Sequence, residues 1–127
     1  MAETILVVED NEKNLKLVRD VLQYAGYEVV AVRTGEEGVA MAIEHPPSLV
    51  LMDLQLPDID GTEALHRLRA SVNTRAVPVV AVTAFAMRED RQRALDAGFD
   101  GYLVKPISVS ALPEQIGRFI VPDGSLP

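Results

Sequence analysis

Several groups able to do chemistry stand directly at the ends of short apolar runs. Glu9 and Asp10 follow residues 5–8, Asp53 follows residues 49–52, Thr83 follows residues 77–82 and Lys105 follows residues 101–104. An acid placed straight after Leu49, Val50, Leu51 and Met52 is costly unless something compensates it, so Asp53 is the first residue to explain. An aspartate carboxylate can attack phosphorus to give an acyl phosphate if the charge of the transferring group is neutralised. Lys105 can neutralise one phosphoryl oxygen and the Thr83 hydroxyl can donate to another.

Carboxylates held about 4 Å apart repel by roughly 4 kcal/mol at an effective dielectric near 20, so three in one crevice call for a cation or a proton. With no cysteine in the chain, a metal must be held by oxygen or histidine. All-oxygen ligands beside a phosphate favour Mg2+, with Mn2+ as a substitute. Asp10 and Asp53 are the direct ligands in this reading, and Glu9 acts through water. Taken singly the residues are bland: Glu9 and Asp10 read as a turn capping the first helix, Thr83 as a strand end, Lys105 as a surface charge. Specificity comes from their joint placement.

That placement depends on the elements between them. The apolar runs 5–8, 29–32, 49–52, 77–82 and 101–104 have the length and composition of buried strands. Leu15, Val18, Leu22 and Ala25 fall on one face of a helix that Gly26 ends. Thr34 with Glu37 forms a capping box for a second helix, which Pro46 and Pro47 stop, and Asp60 with Glu63 caps a third. Leu65 and Leu68 point the third helix inward. Residues 86–97, ending at Gly98, are poor in large apolar side chains and should pack lightly. The last helix carries Leu112, Ile116 and Phe119, and Pro113, tolerated only in a first turn, sets its start nearer Ser110 than Ser108. Five alternations of strand and helix, with strands apolar throughout, predict an α/β fold: a doubly wound, five-stranded parallel sheet with five helices. Ligands in such sheets bind beyond the carboxyl ends of the strands, where the candidate residues lie.

At 127 residues the chain has room for one domain, expected over residues 1–121, with a short tail over 122–127. No apolar stretch approaches the roughly 20 residues that cross a bilayer, and the first eight residues lack a basic leader, so the cytoplasm is the expected compartment and no membrane partner is expected. A formal charge of -7 opposes binding to nucleic acid.

The segments ILVVEDN at 5–11, MDLQLPDIDG at 52–61, PVVAVTAFAM at 78–87 and GYLVKPIS at 101–108 resemble the response-regulator receiver family over essentially the whole chain, and within it the stand-alone cell-cycle regulators. The resemblance implies a flavodoxin-like fold in which Asp53 receives phosphate from a histidine kinase or a histidine phosphotransfer protein. It implies that Asp10, Asp53 and the Gln55 main-chain carbonyl bind magnesium, with Glu9 completing the acidic pair where Asp is more frequent. It also implies a cis bond between Lys105 and Pro106, and a switch pair, Thr83 and Tyr102, in which phosphate draws Thr83 inward and the Tyr102 ring follows. From the residues alone Tyr102 reads as an ordinary strand-end aromatic. Gln55 and Phe85 take positions that govern water access to the acyl phosphate in the family. A downstream protein would dock on the face made by residues 86–97, the last strand and the last helix. Arg88, Arg91 and Arg93 either join that face or form a solvated helix surface.

The implied protein catalyses only its own phosphorylation and dephosphorylation, as a monomer or weak dimer. The nearest alternative is a receiver cut from a hybrid histidine kinase or a multidomain regulator. A haloacid-dehalogenase-like phosphatase would need an acid where Gln55 stands, and a flavin carrier would need a phosphate-binding loop where Glu9 and Asp10 stand.

Overall fold

The computed structural model describes residues 3–120; Val121 and the expected tail over 122–127 lie outside the described residues. Five strands, β1 (Thr4–Val8), β2 (Glu28–Val32), β3 (Leu49–Asp53), β4 (Val79–Thr83) and β5 (Gly101–Val104), alternate with five helices, α1 (Glu12–Tyr24), α2 (Gly35–Glu44), α3 (Gly61–Ala70), α4 (Arg88–Ala97) and α5 (Leu112–Gly117). The strands form one parallel sheet in the order β2-β1-β3-β4-β5, so the doubly wound α/β fold is as expected.

Successive strand residues point to opposite faces, and here both faces are apolar. Leu6, Val8, Val50, Met52, Val79 and Ala81 pack on one side with Ala42 of α2, Leu65 and Leu68 of α3, and Ala94 of α4. Ile5, Val7, Leu49, Leu51, Val80 and Val82 pack on the other with Leu15, Val18 and Leu22 of α1, and Leu112 and Ile116 of α5. The strand order reverses between β1 and β3, which opens a crevice at their carboxyl ends.

The expected caps form. Thr34 accepts from the Glu37 amide at 3.1 Å and Asp60 from the Glu63 amide at 2.9 Å. Gly26 and Gly98 end α1 and α4 at φ 103° and 113°, a left-handed geometry that side chains disfavour. Other bounds shift. Ala25 is the exposed C-cap of α1 rather than part of its buried face, and β4 begins at Val79 because Val77 still closes a turn onto Thr74. Helix α4 begins at Arg88, two residues later than expected. Helix α5 begins at Leu112, but the turn leading into it is anchored on Ser108, whose carbonyl accepts from Leu112 at 3.0 Å and whose hydroxyl accepts from Ala111 at 3.3 Å. Pro113 sits in the first turn.

Candidate functional site

Strand β1 delivers Glu9 and Asp10, and the Glu9 amide still bonds to the Val32 carbonyl at 3.1 Å, extending the sheet by one rung. Strand β3 ends on Asp53 itself, paired in register with Val82, and Thr83 at the end of β4 is paired with Val104. The Lys105 amide donates to the Thr83 carbonyl at 2.8 Å, so β5 hands Lys105 to the same edge. The peptide bond between Lys105 and Pro106 is cis. Glu9, Asp53 and Thr83 are buried, and Asp10 is half-buried.

Glu9, Asp10 and Asp53 each present a carboxylate oxygen, and these lie within 4.8 Å of one another. Lys105 Nζ lies 2.9 Å from Asp53 Oδ2 and 3.0 Å from Glu9 Oε1. One ammonium thus compensates two carboxylates and is a cation of the kind that three acids in one crevice call for. The other Asp53 oxygen, Oδ1, accepts from the Gln55 amide at 2.9 Å, and Glu9 Oε2 accepts from the Asn11 amide at 3.1 Å. Burial, and then the neighbouring Asp53 carboxyl, push the Glu9 carboxyl above its ordinary range despite the pull of Lys105 and the Asn11 amide. Burial draws the Lys105 ammonium down, but its hydrogen bonds to Asp53 and Glu9 outweigh that and leave it above the ordinary lysine value.

Beside this cluster is a cleft of about 400 Å³, lined in part by Gln55, Thr83, Phe85, Asp90, Arg93 and Tyr102. The Thr83 hydroxyl accepts from the Phe85 amide at 3.1 Å, while the Tyr102 hydroxyl donates to the Phe85 carbonyl. One residue of the 84–87 loop is therefore held from both sides. Tyr102 is half-buried and packs against the core, and Phe85 is half exposed.

The 54–60 loop after Asp53 closes tightly: the Gly61 amide donates to the Leu54 carbonyl at 3.1 Å. A Cβ on Gly61 would come within 2.9 Å of Leu54 Cα and 3.0 Å of the Asp53 carbonyl, a close backbone approach that only glycine permits.

Two side chains outside the sequence reading support the acidic loops. Arg33 donates to the Asp10 carbonyl at 3.0 Å, and Asp58 binds the first amides of α2. Asp58 had a weak signal, an acid following a loop proline, but its partners lie more than twenty residues away.

A family model described as "Response regulator receiver domain" matches residues 5–117. The chain is 43% identical over 120 residues to the polar-differentiation response regulator DivK of Brucella ovis, covering 94% of this chain and 98% of that protein. Among solved structures, it is similar to the receiver domain of the sensor histidine kinase PA1611 from Pseudomonas aeruginosa, solved with a magnesium ion coordinated in its active site cleft. That likeness has a TM-score of 0.86 and 37% identity, over 94% of this chain and 98% of the other. The chemotaxis response regulator CheY4 of Vibrio cholerae gives a TM-score of 0.89 at 27% identity, over 94% and 100% of the two chains.

Proposed function

The chain belongs to the response regulator receiver family, and from that premise we propose that it is a phosphorylation-dependent switch whose Asp53 accepts a phosphoryl group from a histidine kinase or a histidine phosphotransfer protein. The observation that carries the reading is the buried Asp53 carboxylate with Lys105 at 2.9 Å, gathered with two further carboxylates at the carboxyl edge of the sheet.

In the reaction an Asp53 oxygen attacks phosphorus, the bond from phosphorus to the donor imidazole nitrogen breaks, and the imidazole leaves with that electron pair. Lys105 passes from Asp53 Oδ2 to a phosphoryl oxygen, and the Gln55 amide keeps Oδ1 oriented. Water then attacks phosphorus, the bond from phosphorus to the Asp53 oxygen breaks, and carboxylate and inorganic phosphate are released, so the protein acts only on itself. The donor set suits a hard divalent ion, being all oxygen and convergent, and the PA1611 relative carries magnesium in its cleft. Asp10, Asp53 and the Gln55 carbonyl would hold Mg2+ or Mn2+, with Glu9 joining through water; when bound, the ion supplies charge neutralisation to the phosphoryl oxygens.

The phosphoryl group adds about -1.5 to -2 charge. Thr83 turns its hydroxyl toward it and releases the Phe85 amide, and Tyr102 moves further inward into the adjoining cleft. The change is read on the face of α4, β5 and α5 by a protein partner, not by nucleic acid or a membrane, with the switch itself a cytoplasmic monomer or weak dimer. Among the described residues no helix is long and apolar enough to cross a membrane.

A second reading, a receiver that forms part of a hybrid histidine kinase or a multidomain regulator, is favoured by the likeness to PA1611, a histidine kinase receiver. The coding sequence on either side decides between them. The acceptor itself is tested by incubating the protein with Mg2+ and a small acyl phosphate and measuring intact mass. One phosphoryl adduct is expected, absent in Asp53→Asn and lost on chelation; an adduct persisting in Asp53→Asn overturns the assignment.

A further inference from the structure

Helix α2 has two sources of N-terminal caps. Its own N-cap, Thr34, takes the Glu37 amide and donates to the Glu37 carboxylate. The Gly35 and Glu36 amides, which a helix start leaves without partners, are taken instead by Asp58, with Oδ1 and Oδ2 each at 2.8 Å. Asp58 stands in the middle of the 54–60 loop, directly after Pro57, which has no amide to donate. The fit is steric as well as polar: a Cβ on Gly35 would come within 2.5 Å of Ile59 Cγ1 and 3.3 Å of Leu56 Cδ1, so a bare Gly35 lets the loop lie on the helix start. At its two ends the loop is fixed by the Leu54 amide on Val82 and the Gly61 amide on Leu54. Asp58 supplies a tie between them, and the stretch it shares with the Leu54 bond contains Gln55, whose amide donates to Asp53 Oδ1.

We propose that Asp58 is a positioning residue for the phosphoryl acceptor: by clamping the 54–60 loop to the start of α2, it fixes Gln55 and through it the Asp53 carboxylate. The inference rests on the reading of Asp53 as acceptor and of the Gln55 carbonyl as a metal ligand, and it assigns the loop's preorganisation to a helix that contributes no side chain to the acidic cluster. Helix α2 remains docked without Asp58, because Glu36 pairs with Arg67 of α3, and Val39 and Ala42 are buried.

The two caps of α2 provide the test. Thr34→Ala weakens the helix start but leaves the loop tie, whereas Asp58→Ala removes the tie. In the metal-free full chain, amide exchange at Gln55 is expected to quicken about tenfold in Asp58→Ala and to stay within about twofold in Thr34→Ala. By calorimetry, Mg2+ affinity should fall about tenfold in Asp58→Ala, the loss typical of a group that supports a ligand without touching the ion, and hold in Thr34→Ala. Asp58→Asn, which keeps one acceptor oxygen, should fall between and covers the case in which Asp58→Ala does not fold. Unchanged Gln55 exchange in both Asp58 variants, or an equal rise in Thr34→Ala, overturns the proposal. A wild-type chain that binds no Mg2+ while the exchange contrast stands would refute the metal reading and uphold the positioning role.

Discussion

The two flanks of the acidic edge are built differently. On the β2 flank, Arg33 bonds to the Asp10 carbonyl, Asp58 to the start of α2, and Arg67 bridges Glu36 and Glu63 between α2 and α3. On the β4 flank, α4 has Met87 at its N-cap and no side-chain cap, and it buries only Ala94. Phe85 and Met87 are 51% and 65% exposed at its entrance. Its far end is tied to α3: Arg69 donates to the Gly98 carbonyl at 3.1 Å and pairs with Asp100 at 2.8 Å. Asp53 is held from both flanks, Oδ1 by the Gln55 amide of the braced loop and Oδ2 by Lys105 at the end of β5, while the element beside Thr83 is pinned at the end away from it. Segments with few buried contacts open at low free energy, so under the proposed function this division would let a charge change at Asp53 move α4 without loosening the pocket.

The largest test falls on the acidic cluster between the two flanks, Lys105→Met in chelator-containing buffer. It leaves Glu9 and Asp53 buried without their shared cation, and a broken buried pair costs about 3 kcal/mol, the low end of the usual range because Lys105 is partly solvated. The Glu9 carboxyl already lies above its ordinary value, so its protonated form favours the fold. The penalty should therefore be fully present at pH above Glu9's raised value and shrink as the pH falls through it, read by urea denaturation. A deficit that does not vary with pH would mean that the lysine acts by packing alone.

Two smaller changes probe the loose side. Tyr102→Phe removes the hydroxyl that donates to the Phe85 carbonyl, with an expected loss of about 1 kcal/mol and faster amide exchange in the 84–87 loop. Met87→Ser gives α4 the cap it lacks, at an N-cap residue already extended at φ -71° and ψ 150°, and should gain about 0.5–1 kcal/mol. If α4 must move at its start, the same variant should also blunt the response of α4 amide shifts to phosphorylation. A gain in stability with an undiminished response would place the motion elsewhere.

The sequence made the braced pocket only half legible. Asp53 could be found because it interrupts a continuous apolar strand, and the caps at Thr34 and Asp60 because their partners lie three residues on. The light packing of α4 followed from its composition. What could not be read were bonds whose partners are far apart in the chain: Arg33 to Asp10 across 23 residues, Arg69 to Asp100 across 31, and Asp58 to Gly35 across 23. An exposed aspartate after a loop proline has the same local pattern whether it faces water or a distant helix start. The double duty of Lys105 was likewise hidden, because spacing placed the three acids on one edge without saying which oxygens would share an ammonium.

Asp58 offers the smallest and most selective effect. Desolvation opposes its charge, but amides of Glu36, Gly35 and Ile59 outweigh it and hold the carboxyl below the usual aspartate value. A depressed carboxylate contributes stability that is present above its unfolded value and lost as the pH falls through the folded one. Wild type and Asp58→Asn should thus differ by a constant amount in urea midpoint from neutral pH down to about 5, and converge below the ordinary aspartate range near 3.9. Asp20 is also depressed, through its hydrogen bond from Lys16, but it lies on α1 and titrates identically in both proteins, so it cancels from the difference. Convergence confined to that acid window would tie the brace to the charge on Asp58. A gap that persists through it would assign the loss to the shape of the asparagine amide, which can accept through only one of its two terminal atoms.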